Sequence, residues 1–230
     1  MMKTLITTFA LGFITCAMPA MAEVLGNQKK AGTLTVQQAA EMVKKANETP
    51  QYHLDLNRLK SIEPDVAREL AKYNNGALWM NGLTSINKEV AEELAGCMAY
   101  ALSLDGLTSM DKDVANALAK FQSKVLSING LASIDKKAVK ELAKFKGYRL
   151  ILGLTSLDKE DAREFAKGEG NGLSFDRLSS IDKEVAHELS RFQGYRLSLK
   201  GLASISKDVA HELAKCSPPP NSPSKYLGLD

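Results

Sequence analysis

The chain has 230 residues, 44% of them hydrophobic and 25% charged, with 30 basic and 27 acidic side chains and a net charge of +3. Charge so nearly balanced, and spread evenly along the chain, excludes a dedicated nucleic-acid or anionic-membrane binder, which would carry a basic patch or stripe. The charged residues read as a solvated face.

Residues 1–22, MMKTLITTFALGFITCAMPAMA, contain one lysine, an apolar run, Pro19 and the small-x-small ending Ala20-Met21-Ala22. This pattern predicts a secretory signal peptide cleaved before Glu23. The run is too short to span a bilayer as a mature helix, and no later stretch is continuously apolar, so stable membrane insertion is not expected. Cys16 invites comparison with a lipid-modified cysteine, but Phe13 and Thr15 fit poorly before one. Cleavage removes one basic residue and no acidic one, leaving a net charge of +2. The expectation is an exported protein, periplasmic or extracellular.

Residues 23–53 form an N-terminal segment in which LTVQQAAEMVKKAN (34–47) predicts a helical half-repeat covering the first strand as a cap. From there to residue 216 one sentence is written seven times, beginning at Leu54, Leu78, Leu102, Leu126, Leu150, Leu173 and Leu197. The spacing is 24 residues, except for 23 between Leu150 and Leu173. Self-similarity at this period is the signature of a solenoid.

Each unit splits by periodicity. LxL alternates as a short strand does, whereas Ile86, Val90, Ala91, Leu94 and Ala95 recur along one helix face. Asn87, Asp111, Asp135, Asp158, Asp182 and Ser206 stand where an N-cap belongs, and Pro64 falls at a first helical position. A lone unit offers only about six large apolar side chains, too few to offset the entropy of ordering it. Stacked units instead pair their strands in parallel and bury each helix stripe against its neighbours. Residues 217–230 form a Pro-rich tail whose closing LGLD (227–230) repeats the strand pattern and predicts a last strand beside the seventh.

Strand-plus-helix units of 24 residues with recurrent leucines, from Leu54 to Lys215, resemble the leucine-rich repeat proteins of exported bacterial type. The resemblance implies an α/β solenoid with short parallel strands on the concave face, short helices on the convex face, and protein recognition on the sheet. One position departs from the usual pattern: Leu107 stands where that family carries a buried Asn or Cys. The asparagine ladder of the family is therefore not expected there, and the repeats read as a variant class.

If the strand leucines point inward, the residues between them form the outer sheet face. Trp79, the chain's single tryptophan, stands there among small and polar neighbours and is a candidate anchor for a partner side chain or a sugar ring. Asp55, Ser103, Asp105 and Arg149 complete the candidate ligand-binding set. Asn57, Asn81, Asp105, Asn129 and Asp176 form a column open to two readings, turn formation or ligand contact. A serine precedes the Ile position in every copy (Ser61, Ser85, Ser109, Ser133, Ser156, Ser180, Ser204), which predicts a hydroxyl bonding turn backbone. With no recurring His or acid beside them, these serines are not nucleophiles.

Tyr52, Tyr100, Tyr148 and Tyr195 share one position ahead of the strand, either packing the loops or forming a binding edge. His187-Glu188 and His211-Glu212 lack the spacing of a zinc helix. Cys97 and Cys216 replace Phe121, Phe145 and Phe192 of other repeats. Five strand spacings, about 24 Å, separate them, far beyond the roughly 7 Å reach of a disulfide. Repeat five is irregular, with Asp161 in the Val column, Gly168 in the Phe column and a closing GEGNG (168–172). That glycine run follows a helix and precedes a strand, the reverse of a phosphate-cradling loop.

These residues together predict a non-catalytic binding protein, without cofactor or metal, whose sheet face holds a protein or peptide. The alternatives are a structural spacer without ligand and a carbohydrate-binding module.

Overall fold

A computed structural model describes residues 33–49, 53–216 and 226–229. The expected signal peptide, Tyr52 and most of the Pro-rich tail lie outside the described residues. The chain is an α/β solenoid built on one eight-stranded, all-parallel sheet whose strand order is the sequence order. After helix α1 (Val36–Glu48) it alternates β1 (His53–Asp55), α2 (Pro64–Leu70), β2 (Ala77–Trp79), α3 (Lys88–Ala95), β3 (Ala101–Ser103), α4 (Lys112–Leu118), β4 (Val125–Ile128) and α5 (Lys136–Leu142). Then come β5 (Arg149–Leu152), α6 (Lys159–Ala166), β6 (Gly172–Ser174), α7 (Lys183–Ser190), β7 (Arg196–Ser198), α8 (Lys207–Leu213) and β8 (Tyr226–Gly228).

The register is set by leucine. Leu54, Leu78, Leu102, Leu126, Leu150, Leu173, Leu197 and Leu227 pair in one column through all eight strands. The first seven are buried against the helix stripes. Strands about 4.8 Å apart, backed by helices that need about 8–10 Å between axes, make such a stack curve with its sheet inside.

Every helix from α3 to α8 starts on a side-chain cap. Asn87, Asp111, Asp135, Asp158, Asp182 and Ser206 each accept from the N–H three residues on. Helix α2 starts without such a bond and has Pro64 in its first turn, where a missing N–H costs nothing. Helix α1 carries a reciprocal capping box between Thr35 and Gln38 and buries Ala39, Met42, Val43 and Ala46. Asn75 pins it to the first repeat by donating to the Ala46, Asn47 and Thr49 carbonyls.

Successive turns approach so closely that glycine is required. A Cβ on Gly106 would fall hard against the Asn81 carbonyl oxygen, and one on Gly130 against that of Asp105. Repeat one has no earlier turn of this kind before it among the described residues and carries Arg58 instead.

The helix faces are joined by a second set of contacts, each reaching about one repeat forward. Arg68 pairs with Glu93 at 2.7 Å, Arg163 with Glu188 at 2.8 Å and His187 with Glu212 at 2.9 Å, and Asn116 donates to Glu141 at 2.7 Å. Glu188 and Glu212 are buried. Hydrogen bonds from Lys215 and then His187 hold the Glu212 carboxyl down to about 2 from its ordinary 4.5.

Repeat five departs from the pattern in its turn and in its core. Aligned by its leucines, it lacks the residue between Leu152 and Gly153, the position that Asn129 fills in repeat four. Pairing continues across the defect through Leu150 with Leu173 and Ile151 with Ser174. In the core, the aromatic missing at Gly168 is made up by Phe165 and Phe175, whose rings meet edge-on at 5.3 Å. Both are fully buried. Cys97 is buried in the core and Cys216 is half-buried at its edge.

This packing has two measurable consequences. Gly106→Ala should lower the urea midpoint by an amount worth about 1–3 kcal/mol, because the clash is with backbone rather than with a side chain that can swing away. The Glu212 carboxyl is depressed on folding, so its stabilisation is complete above about pH 4.5 and is lost as pH falls towards about 2. In thermal melts across that window, Glu212→Gln should flatten the loss of melting temperature on acidification.

Candidate functional site

Outside the leucine column, each strand turns two side chains to the outer sheet face. One row runs His53, Ala77, Ala101, Val125, Arg149, Gly172, Arg196, Tyr226, and the other Asp55, Trp79, Ser103, Ser127, Ile151, Ser174, Ser198, Gly228. The face therefore carries small or apolar side chains on β3 and β4, with large side chains on β1–β2 and again from β5 onward.

At the β1–β2 end Trp79 lies diagonally across from His53. Their ring centroids are 3.9 Å apart and their planes 13° from parallel. Trp79 is half-buried and His53 exposed, so the two stacked rings form a shelf on the sheet face. Asp55 is exposed at the same end, and its Oδ1 accepts from Asn57 N–H at 2.9 Å.

Ser103 and Asp105 sit beside Trp79 but are engaged in a ladder between repeats. Asn81 N–H donates to Asn57 Oδ1 at 2.8 Å, Asp105 N–H to Asn81 Oδ1 at 2.9 Å, and Asn129 N–H to Asp105 Oδ1 at 2.7 Å. The strand serines join in, Ser103 donating to Asn81 Oδ1 and Ser127 to Asp105 Oδ1. Ser103 is only 8% exposed. Asn57, Asn81, Asp105 and Asp176 of the column are thus side-chain acceptors in a ladder at the strand's outer end instead of the buried Leu107 position.

The ladder stops at repeat five, where the residue that would donate to Asn129 is missing. Asn129 Oδ1 is left buried without a partner. Arg177, at a position glycine usually holds, reaches over the gap and donates to the Asn129 carbonyl at 3.1 Å. The ladder resumes at Asp176, which accepts from Ser174 and Ser198 at 2.5 Å each and from Lys200 N–H at 3.3 Å. Burial raises the Asp176 carboxyl, but these bonds and the nearby Arg149 charge outweigh it and hold the group below its ordinary value.

Arg149 lies three strands from Trp79, half-buried, donating to Ser174 Oγ at 3.2 Å with the Asp176 carboxylate at 3.8 Å. Its neighbour across Gly172 is Arg196, a residue absent from the sequence-derived set, whose guanidinium lies 4.1 Å from the centroid of the Tyr226 ring. A signal for the pairing exists in the sequence: FKGYRL at 145–150 recurs as FQGYRL at 192–197, with Gly172 in the repeat between.

One other expectation comes out differently. The seven recurrent serines are exposed in the strand-to-helix turn; turn carbonyls are bonded by the adjacent threonines instead, Thr108 Oγ1 donating to Thr84 and Thr155 Oγ1 to Ala132. Tyr100, Tyr148 and Tyr195 are exposed at one edge of the sheet, and Lys124 sits 5.1 Å over the Tyr100 ring. Among the described residues no group of three or more His, Cys, Asp or Glu could hold a metal ion. No described helix is long and apolar enough to cross a membrane.

The fold and face define a parallel α/β repeat solenoid with an open sheet. No protein-family model matches the chain, and no curated protein shows significant similarity to it.

Asp105→Ala removes the acceptor for Asn129 N–H and Ser127 Oγ, and should cost about 1–3 kcal/mol in urea unfolding. Asp105→Asn keeps an Oδ1 and should leave the midpoint near that of the parent. A stability unchanged by the alanine would show that the ladder does not use this carboxylate.

Proposed function

We propose that the chain is a non-catalytic, exported binding protein of the leucine-rich repeat type, periplasmic or extracellular, that holds a protein or peptide along its sheet face. The observation that carries this reading is the shelf of Trp79 on His53. A large ring held flat by a stacked neighbour, on a sheet fixed by hydrogen bonds to both sides, presents contact area with little ordering left to do on binding. Amphipathic rings of this kind dominate binding energy where they anchor a partner. The exposed Tyr100, Tyr148 and Tyr195 extend the aromatic character along the adjoining edge.

A flat, half-exposed ring also suits the face of a sugar, which favours a carbohydrate ligand as the second reading. The two readings share Trp79 and separate on ligand. Because Trp79 is the only indole in the chain, its emission reports on the shelf alone. A partner purified from envelope extract should shift that emission on titration, and Trp79→Ala should weaken capture about tenfold or more while leaving the melting temperature unchanged. Capture indifferent to that substitution would remove the shelf as the anchor, and a shift produced by oligosaccharides but by no protein would favour the second reading.

A further inference from the structure

The other end of the sheet face holds two arginines side by side. Leu150 pairs with Leu173, and Gly172 pairs with Arg196, so Arg149 and Arg196 flank a glycine on the same row. A Cβ at position 172 would stand 3.4 Å from Arg196 Cβ and 3.6 Å from Arg149 Cγ. The glycine leaves the row open between the two arginine stems, and the tightest contact a Cβ there would make is with the Tyr148 carbonyl oxygen at 3.1 Å. Beneath them Ser174 and Ser198 are fully buried.

The charge collected here is only partly answered. Asp176 is 3.8 Å from Arg149, and its oxygens already accept from Ser174, Ser198 and Lys200 N–H. Arg196 rests on the Tyr226 ring, a contact that favours the cation without accepting its N–H groups. The Nε atoms of both arginines are screened from water and have no hydrogen-bond partner. Burial, then the charge of Arg196, push the Arg149 guanidinium below its ordinary value. Two like charges sharing a half-buried site with a single carboxylate beside them are an arrangement that an oxyanion would relieve.

We propose that Arg149 and Arg196, brought together over Gly172, form a carboxylate-binding subsite that takes one acidic group of the protein or peptide partner. The proposal rests on the sheet face being the binding surface. A guanidinium fork matches the two oxygens of a carboxylate. Two arginines against the single carboxylate of Asp176 leave one positive charge, which a monoanion neutralises, whereas a phosphate dianion would bring a second charge into a site that is partly desolvated. The carboxylate has two sources in a polypeptide, an Asp or Glu side chain or a free C-terminus, and both present the same group to the fork.

Nitrogen-15 spectra of arginine Nε–H groups test this directly, because the two screened Nε–H groups give signals that Arg149→Gln and Arg196→Gln assign by deletion. Three probes are titrated: an N-acetylated, C-amidated Gly-Glu-Gly peptide, an N-acetylated Gly-Gly-Gly peptide with a free C-terminus, and inorganic phosphate. At least one peptide should move both Nε–H signals with one affinity, the stronger arm naming the source. Either glutamine variant should weaken it about tenfold or more, and Arg196→Lys, which keeps charge but loses the fork, should weaken it less. Melting curves of each variant confirm that the solenoid persists. The subsite is overturned if neither peptide shifts the signals, if phosphate binds more tightly than both peptides, or if the folded glutamine variants bind as the parent does. A protein partner lost in Trp79→Ala but indifferent to the arginine variants would overturn the subsite and leave the sheet-face reading standing. A partner indifferent to both sets would overturn both.

Discussion

Through the first four repeats, one repeat stands at a fixed distance from the next because a side-chain oxygen in one turn accepts the backbone N–H of the following turn. Asn57, Asn81 and Asp105 do this in succession, each reaching 24 residues forward. The spacing that the ladder imposes is the spacing of hydrogen-bonded strands, about 4.8 Å. At that distance the turn carbonyls press on the next turn, which is why Gly82, Gly106 and Gly130 tolerate no Cβ. The helix face obeys the same translation, with contacts such as Arg163 to Glu188 reaching 25 residues forward. Stability in such a stack is a sum over neighbouring interfaces, so each ladder bond secures an interface and leaves distant repeats untouched.

Repeat five shows what happens when a rung is deleted. Removing the residue between Leu152 and Gly153 leaves the strand leucines in column, because the loss falls in the turn. The cost appears locally as the unpaired Asn129 Oδ1. Its consequences are used on both sides. Arg177 occupies a position that glycine holds in most repeats and crosses the gap to Asn129, and the strand before the gap carries Arg149 where repeats two to four have Ala or Val. The core absorbs the missing Gly168 aromatic by enlarging two other columns at Phe165 and Phe175. A repeat whose core is repacked and whose turn is shortened thus keeps its place in the sheet while its surface diverges.

The strands, helices, caps and register are legible in the sequence because each rests on a period or on a residue type with one dominant local use. Asp111 can cap a helix from its position alone, and seven leucine-centred strands spaced 24 or 23 residues apart admit little but a parallel stack. The site is less legible because its chemistry depends on neighbours 22 to 25 residues away. By residue type Asp105 suits a turn or a ligand equally well, and only the position of its Oδ1 under Asn129 N–H decides between them. Alternation alone makes Ser103 accessible, yet its hydroxyl is drawn along the sheet to Asn81. The recurrent serines such as Ser85 suit a backbone bond that the neighbouring threonines make. Arg196 carries no signal by itself because it converges with Arg149 only across the strand between them, and a glycine in that strand signals nothing until the register is known.

The sheet face is consequently uneven along its length, and the unevenness constrains any ligand that uses all of it. The aromatic shelf stands on β1 and β2, and the paired arginines straddle β6. Four strand spacings separate β2 from β6, about 19 Å. An extended peptide rising about 3.3 Å per residue would cover that span in about six residues if it ran across the strands, and the small side chains of Ala101, Val125 and Ser127 leave the path between unobstructed. A ligand lying parallel to the strands, by contrast, could touch one end or the other but never both. The direction of binding is therefore set by the chemistry at the two ends: aromatic contact with an acidic group about six residues away selects a chain lying across the repeats, whereas either contact alone imposes no direction at all.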